Sequence, residues 1–264
     1  MELSVRGKPV FAATGGRVFD PALPAVVFVH GAGMDHTVWS MQTRFFAHHG
    51  HSVLAIDLPG HGRSAGPALE SIEAQGAWVL DLIAAAGTGR TALVGHSMGS
   101  LAVLDASRQG PDRTERLALL GAAERMPVHP ALLAAAERNE PTAWDMITGW
   151  GFGRSAQLGG HRGPGLWMTG GGRRLLARAP DGVLHADLAA CNAYEDAVLA
   201  ADTVACPTLL ICGRDDRMTP VKGAAALCEA FADGRMTILE GAGHMMMIER
   251  PDETLDALKD FLGG

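Results

Sequence analysis

The sequence predicts an α/β protein: a mostly parallel, eight-stranded sheet flanked by helices, with one helical insertion between strands six and seven. Three observations lead there. Short apolar runs alternate with longer stretches of helical periodicity along most of the 264 residues, the pattern of parallel strands covered by helices on both faces. The alternation fails in one place only, between Gly121 and about Ala201. A glycine-flanked serine, Gly95-His96-Ser97-Met98-Gly99, stands at the junction between one apolar run and the next helical stretch.

Taken in order, Leu3–Val5 and Val10–Ala13 read as an N-terminal hairpin. Strands follow at Val26–Val29, Val53–Ile56, Ala92–Val94, Leu117–Leu120, Leu209–Cys212 and Thr237–Leu239. Helices are expected over Thr37–His48, Ser71–Ala86, Met98–Arg108, Val221–Phe231 and Asp252–Leu262, each supplying apolar residues at helical spacing. Inside the break, Ala131–Arg138 and Ala143–Gly149 are helical pieces, and the glycine-rich run from Gly159 to Gly172 reads as a mobile loop. That run includes His161, Arg162, Gly163, Pro164 and Gly165. It lacks the Gly-Lys-Ser/Thr ending and the preceding strand that a phosphate-binding loop needs. Leu166, Trp167 and Met168 in its middle are either a substrate wall or simple packing.

Composition narrows the function classes. With 47% hydrophobic residues the chain has enough apolar surface for one large α/β domain or a domain with an inserted lid. A net charge of −7 with scattered Lys and Arg gives no electrostatic footprint for nucleic acid. The start, Met1 to Lys8, shows no charged n-region followed by an apolar h-region, and no apolar stretch is long enough to span a bilayer, so a cytoplasmic address and no membrane partner are expected. Cys191, Cys206, Cys212 and Cys228 have no C-x-x-C spacing. Buried reduced thiols are expected of them, with neither zinc nor a redox pair, and no cofactor is implied.

The serine motif makes a physical claim. A sharp turn from strand to helix strains the serine backbone, and any Cβ at Gly95 or Gly99 would crowd the crossing segments. Such a turn lifts Ser97 Oγ above the carboxyl edge of the sheet, with a helix N-terminus behind it. A base and an acid should then follow in the order Ser, Asp, His, each on a loop after a strand. The strand Leu209–Cys212 is followed by Gly213-Arg214-Asp215-Asp216-Arg217, and Thr237–Leu239 by Glu240-Gly241-Ala242-Gly243-His244. Either carboxylate of the Asp215–Asp216 pair has the reach.

With these segments the chain resembles the α/β-hydrolase superfamily over nearly its whole length. Val26-Val27-Phe28-Val29-His30-Gly31-Ala32-Gly33 is similar to the family's strand and oxyanion loop, and Asp57-Leu58-Pro59-Gly60-His61-Gly62-Arg63-Ser64 to its D-x-x-G-x-G-x-S turn. The resemblance implies an α/β-hydrolase core of residues 1–121 and 202–264 with a cap of residues 122–201. It implies a triad of Ser97, Asp216 and His244, the acid being the second of the aspartate pair, and Glu124 a weaker candidate for that role. It further implies oxyanion donors at the backbone N–H groups of Met98 and Ala32. His30 and His96 are expected to hold loops in place. His36, His61, His129, His161 and His185 have no partner spacing. Met34, Met98, Met245, Met246 and Met247 divide between an adaptable pocket and the core, and the expected pocket residues are Met34, Trp167, Met168 and Met245.

The activity implied is that of a carboxylesterase-like serine hydrolase acting on a small to medium carboxylic ester, a small-molecule substrate, through an acyl-enzyme. Serine at the elbow argues against haloalkane dehalogenases and epoxide hydrolases, which carry aspartate there. Two alternatives stay open. Carbon–carbon bond hydrolases of ring-cleavage diketones share the triad and the Gly-Arg-Asp-Asp-Arg stretch, although they commonly carry tryptophan where Met245 stands. A ligand receptor that retains the triad is the other.

Overall fold

The computed structural model describes residues 1–160 and 167–263. Eight strands form one sheet in the order β1-β2-β4-β3-β5-β6-β7-β8. They are β1 (Glu2–Val5), β2 (Lys8–Ala13), β3 (Ala25–Val29), β4 (Ser52–Ile56), β5 (Thr91–His96), β6 (Thr114–Leu120), β7 (Thr208–Gly213) and β8 (Gly234–Leu239). The hairpin β1–β2 is antiparallel and joins β4 antiparallel, whereas every pairing from β4 through β8 is parallel. The chain runs outward from β3 in one direction to β4 and in the other to β5. This reversal opens a crevice beyond the carboxyl ends of β3 and β5, the general place for a ligand in an open α/β sheet.

Alternation along the strands sorts the core into two layers. Val27, Val29, Leu54, Ile56, Leu93, Leu117, Leu119 and Leu210 face one side. There they meet α2 (Ile72–Ala86), α3 (Met98–Gln109) and α10 (Val221–Glu229). Val26, Phe28, Val53, Ala55, Val94, Ala118, Leu120 and Ile211 face the other, under α1 (Ser40–His48) and α12 (Pro251–Leu262). Helix boundaries follow local chemistry. Ser71 Oγ accepts the Ala74 N–H and Gly87 closes α2 at φ 72°, a side-chain N-cap and a left-handed C-terminus. Pro251 opens α12 with Asp252 and Glu253 in the first turn, where the helix dipole favours acids.

The chain between β6 and β7 is helical: α4 (Pro130–Glu137), α5 (Pro141–Gly151), α6 (Arg154–Gln157), α7 (Met168–Leu176), α8 (Val183–Ala193) and α9 (Ala197–Thr203). Its last helix does not stand apart. Ala197, Ala200 and Ala201 of α9 pack into the layer that holds α2 and α3, and Tyr194 Oη donates to Asp105 Oδ1 of α3 at 3.1 Å.

The glycine-rich run needs correction. Its residues 161–166, with His161, the core of the phosphate-loop reading and Leu166, lie outside the described residues. Gly170, Gly171 and Gly172 do not form a loop; they lie within α7. Each glycine in a helix costs about 1 kcal/mol against alanine. At Gly172 there is a return, since a Cβ would come within 2.7 Å of the Phe152 ring. The missing side chain lets α7 approach the end of α5. Composition alone reads such a run as flexible because it carries no information about the neighbouring helix.

Candidate active site

Ser97 sits between β5 and α3 at φ 53°, ψ −120°. Holding a non-glycine residue in that region costs on the order of 1–3 kcal/mol, so the surroundings must over-determine it. They do so through backbone. The Ser97 N–H donates to Leu120 O at 2.8 Å, and Ser100 Oγ donates to Gly95 O at 2.8 Å and Leu120 O at 3.0 Å. A Cβ on Gly95 would collide with the carbonyl of Gly99, and one on Gly99 with the carbonyls of Val29 and His30. The elbow is therefore a place where three backbone segments cross, and only glycine fits at the crossings.

Asp216, in the turn after β7, is joined to His244, in the loop after β8. His244 Nδ1 lies 2.8 Å from Asp216 Oδ2. Three more donors hold the carboxylate: the N–H groups of Met218 and Thr219 on Oδ1 at 2.8 and 2.9 Å, and Thr219 Oγ1 on Oδ2 at 2.7 Å. Burial works against the charge on Asp216, but His244 and these hydrogen bonds hold its carboxyl below the ordinary range. With Nδ1 committed, Nε2 is the nitrogen left free, and it has no partner among the described residues. Asp215 is exposed and Glu124 is exposed at the start of the insertion, so neither takes the place beside His244.

The loop that carries His244 is fixed by a carboxylate of its own. Glu249 Oε1 accepts the N–H groups of Gly243 and Met245 at 3.1 Å each, and Oε2 accepts that of Gly153 at 2.8 Å. Burial pushes the Glu249 carboxyl up while the three amides pull it back. The His244 N–H donates to Gly151 O at 2.6 Å, and His96 Nε2 donates to His244 O at 2.9 Å. His96 is wholly buried with Nδ1 unpartnered. Burial and the neighbouring His244 lower its pKa to about 3, and the ring is neutral.

The loop after β3 has a matching clamp. Asp187 Oδ2, on α8 of the insertion, accepts the Gly33 N–H at 2.8 Å and lies 2.7 Å from His61 Nε2. Burial disfavours charge on His61, yet the Asp187 carboxylate, its hydrogen bond and the Pro59 carbonyl hold the ring above its ordinary pKa. His30 Nε2 accepts the Leu58 N–H at 3.1 Å and burial lowers its pKa to about 4. Between these fixed points, the Ala32 N–H has no acceptor among the described residues. The Met98 N–H is the first of α3, where no intrahelical acceptor exists.

Two cavities meet at His244. The first, about 430 Å³, is lined by Ser97, His244, Ala32 and Met34 from the sheet side. Its other walls come from Leu132, Ile147, Trp150 and Leu188 of the insertion. The second, about 450 Å³, is bounded by His244 and Met34 but not by Ser97, and its walls include Trp167, Met168, Met245 and Ile248. Of the residues expected at the pocket, Met34 lines both cavities, while Trp167, Met168 and Met245 line only the second. Trp167 is 75% exposed at that rim. Met98, Met246 and Met247 are fully buried in the core.

The model of the alpha/beta hydrolase family matches residues 26–257, which take in the six strands β3 to β8 and the insertion. The chain belongs to the alpha/beta hydrolase family. Among its relatives, this hydrolase is 27% identical over 246 residues to (E)-2-((N-methylformamido)methylene)succinate hydrolase of Acinetobacter baylyi, covering 90% of this chain and 89% of that one. It is 28% identical over 259 residues to the pimeloyl-[acyl-carrier protein] methyl ester esterase of Aromatoleum aromaticum, covering 91% and 99%. The crystal structure of the enol-lactonase from Burkholderia xenovorans LB400 superposes with a TM-score of 0.89 at 25% identity, covering both chains in full.

Several residues of this hydrolase that shape the site escape a reading of the sequence. His61 and His36 have no partner spacing, yet His61 meets Asp187 across 126 positions and His36 Nδ1 meets Asp57 Oδ1 at 2.8 Å. His129, likewise without a spacing partner, accepts the Ala131 N–H at the start of α4 and lines the serine cavity. Asp35, His36 and Asp57 form the one group of potential metal ligands among the described residues. Its oxygens are already engaged: Asp57 by the N–H groups of His36 and Arg63, Asp35 by Thr37. All four cysteines are free; Cys228 is only partly buried. Cys191 lines the serine cavity with its thiol pushed well above the ordinary value by burial. No helix among the described residues is long and apolar enough to cross a membrane.

Proposed function

We infer that this chain is a serine hydrolase that cleaves a small to medium carboxylic ester through an acyl-enzyme, with the helical insertion of residues 122–201 acting as a lid over Ser97. The observation that carries the reading is the Asp216–His244 hydrogen bond at 2.8 Å beside a cavity that His244 shares with Ser97. A neutral imidazole bound through Nδ1–H to a carboxylate presents Nε2 as a base, and a serine hydroxyl needs such a base at neutral pH.

The steps follow from the groups in place. Ser97 Oγ attacks the acyl carbon as His244 Nε2 takes its proton. The oxygen of the tetrahedral intermediate receives the N–H groups of Ala32 and Met98, each such donor being worth about 3 kcal/mol in the barrier. Asp216 stabilises the imidazolium and keeps its tautomer. His244 then returns the proton to the departing alkoxide, and water repeats the sequence on the acyl-enzyme. The relatives named as an ester esterase and an enol-lactonase support acyl chemistry on this fold.

The test is turnover of p-nitrophenyl esters from acetate to decanoate by the wild type beside Ser97→Ala. The expected result is many turnovers with a chain-length optimum, reduced at least about 10⁴-fold in the variant. Activity that survives in Ser97→Ala overturns the reading. No turnover at all would redirect it to carbon–carbon bond cleavage of diketones or to ligand sensing.

A further inference from the structure

Resting on the esterase reading, we propose that the serine cavity selects substrates whose acyl arm ends in a carboxylate, with Arg217 as the residue that receives it. The juxtaposition is a cation on the wall of the same chamber as Ser97. Arg217 is exposed and makes no hydrogen bond or ion pair among the described residues. Many arginines elsewhere are committed, as in Arg6–Asp81, Arg108–Asp105, Arg138–Glu140 and Arg214–Glu240. In a chain of net charge −7, a guanidinium at the open wall of the serine cavity, without a partner among the described residues, is a recognition element for an anion.

The lining supports one sign of charge. It includes Arg217 and His129 and no aspartate or glutamate. Asp215, the neighbouring carboxylate in sequence, lines the adjoining groove, which Arg217 also borders, and not the serine cavity. His129, which also lines this cavity, accepts the Ala131 N–H on Nδ1 at 3.2 Å, which leaves Nε2 as its donor atom. Between these polar groups and Ser97 the walls are apolar, with Leu132, Ile147, Trp150 and Leu188, which suits a short methylene chain. A guanidinium matches a carboxylate with two parallel N–H donors.

The geometry also assigns the carboxylate to the acyl side. After the first step the acyl group alone remains on Ser97 Oγ, and the chamber that Ser97 lines is the one that contains Arg217. The second cavity touches His244 but not Ser97, so its own arginines, Arg174 and Arg178, lie outside the chamber that holds the acyl group.

The experiment compares monomethyl with dimethyl esters of the C4 to C7 straight-chain dicarboxylic acids, which share the acyl chain and differ at the distal end, a carboxylate in one and a second, neutral methyl ester in the other, with rates for the dimethyl esters counted per ester bond. Methanol release is followed for the wild type, Arg217→Gln and Arg217→Lys. The wild type is expected to favour one monomethyl ester by about tenfold in kcat/KM, chiefly through KM. Arg217→Gln should erase that ratio and Arg217→Lys should retain part of it, the size expected for one charge-assisted pair at a partly solvated site. A wild type that favours the dimethyl esters, or a ratio that Arg217→Gln leaves intact, overturns the proposal while the esterase reading stands. If the wild type hydrolyses neither ester but turns over p-nitrophenyl esters, the esterase reading stands without this pair of substrates to test the subsite. Calorimetric titration with free adipate then decides the subsite: binding that weakens about tenfold or more in Arg217→Gln upholds it, and equal or absent binding overturns it.

Discussion

The elbow that carries Ser97 and the two loops that carry His244 and Ala32 solve the same problem by different physics. The elbow is held by backbone packed on backbone: Gly95 against Gly99, and Gly99 against Val29 and His30. The loops are held by single buried carboxylates. Glu249 gathers the amides of Gly243, Met245 and Gly153, and Asp187 gathers the Gly33 amide and His61. Close packing fails by steric collision, which leaves no folded alternative, whereas a clamp fails by letting a loop relax. Mutations in the two kinds of region should therefore differ in kind as well as size.

The largest effect belongs to the elbow. Gly95→Val puts a branched side chain onto the Gly99 carbonyl, and overpacking of this type costs about 3 kcal/mol or more; little folded protein should be recovered, read by circular dichroism and gel filtration of the soluble fraction. Recovery of protein with wild-type melting behaviour would show that the crossing has slack.

Glu249→Gln is expected to fold. It replaces one acceptor oxygen by a donor facing a backbone N–H, an unsatisfied contact that costs on the order of 1–3 kcal/mol. Because Gly243 and Met245 flank His244, kcat for an ester that the wild type turns over should fall about 10- to 100-fold with a smaller change in KM. Loss of stability without loss of kcat would reduce Glu249 to a structural role.

Asp187→Asn should act on the other loop. It keeps an acceptor for Gly33 but removes the charge opposite His61, and a fall in kcat of about tenfold is expected from loosening the loop that carries Ala32, the proposed oxyanion donor. The pH dependence gives an independent reading. The raised pKa of His61 means that its contribution to stability is full below its unfolded pKa of about 6.5 and is lost as pH rises through the folded value. Asp187→Asn should flatten that part of the stability profile.

Acid acts on stability with an effect comparable in size to the packing changes. His96 and His30 have folded pKa values of about 3 and about 4, so below pH ~6.5 the unfolded chain binds more protons than the native one. Stability should then fall as pH drops from ~6.5 toward ~4, by up to about 1.4 kcal/mol per pH unit for each ring. Urea unfolding of Asp187→Asn at pH 7 and pH 5, where the opposing contribution of His61 is reduced, reads this, and equal free energies at the two values would contradict it.

The same contrast explains what the sequence reveals. The elbow is legible because its glycines and serine are contiguous, and the strands are legible because short continuous apolar runs set between helical stretches mark strands buried on both faces. Order along the chain brings out Asp216 and His244, each on a loop after a strand. The clamps are illegible because their partners are far apart: 154 positions separate Gly33 from Asp187, and 96 separate Gly153 from Glu249. A lone buried acid in a helix has no sequence signature until the fold supplies the amides it caps. In Gly170–Gly172 the same limit runs the other way, because a composition that signals a loop is overridden by the Phe152 ring packed against Gly172.

The most direct test of the central claim is mass spectrometry of the enzyme quenched during turnover of its best ester, with peptide mapping of the trapped acyl group. The account predicts an adduct of acyl mass on Ser97, absent in His244→Ala. An adduct on Cys191, the thiol that lines the same cavity, or an unmodified Ser97 under conditions of rapid turnover, would contradict it.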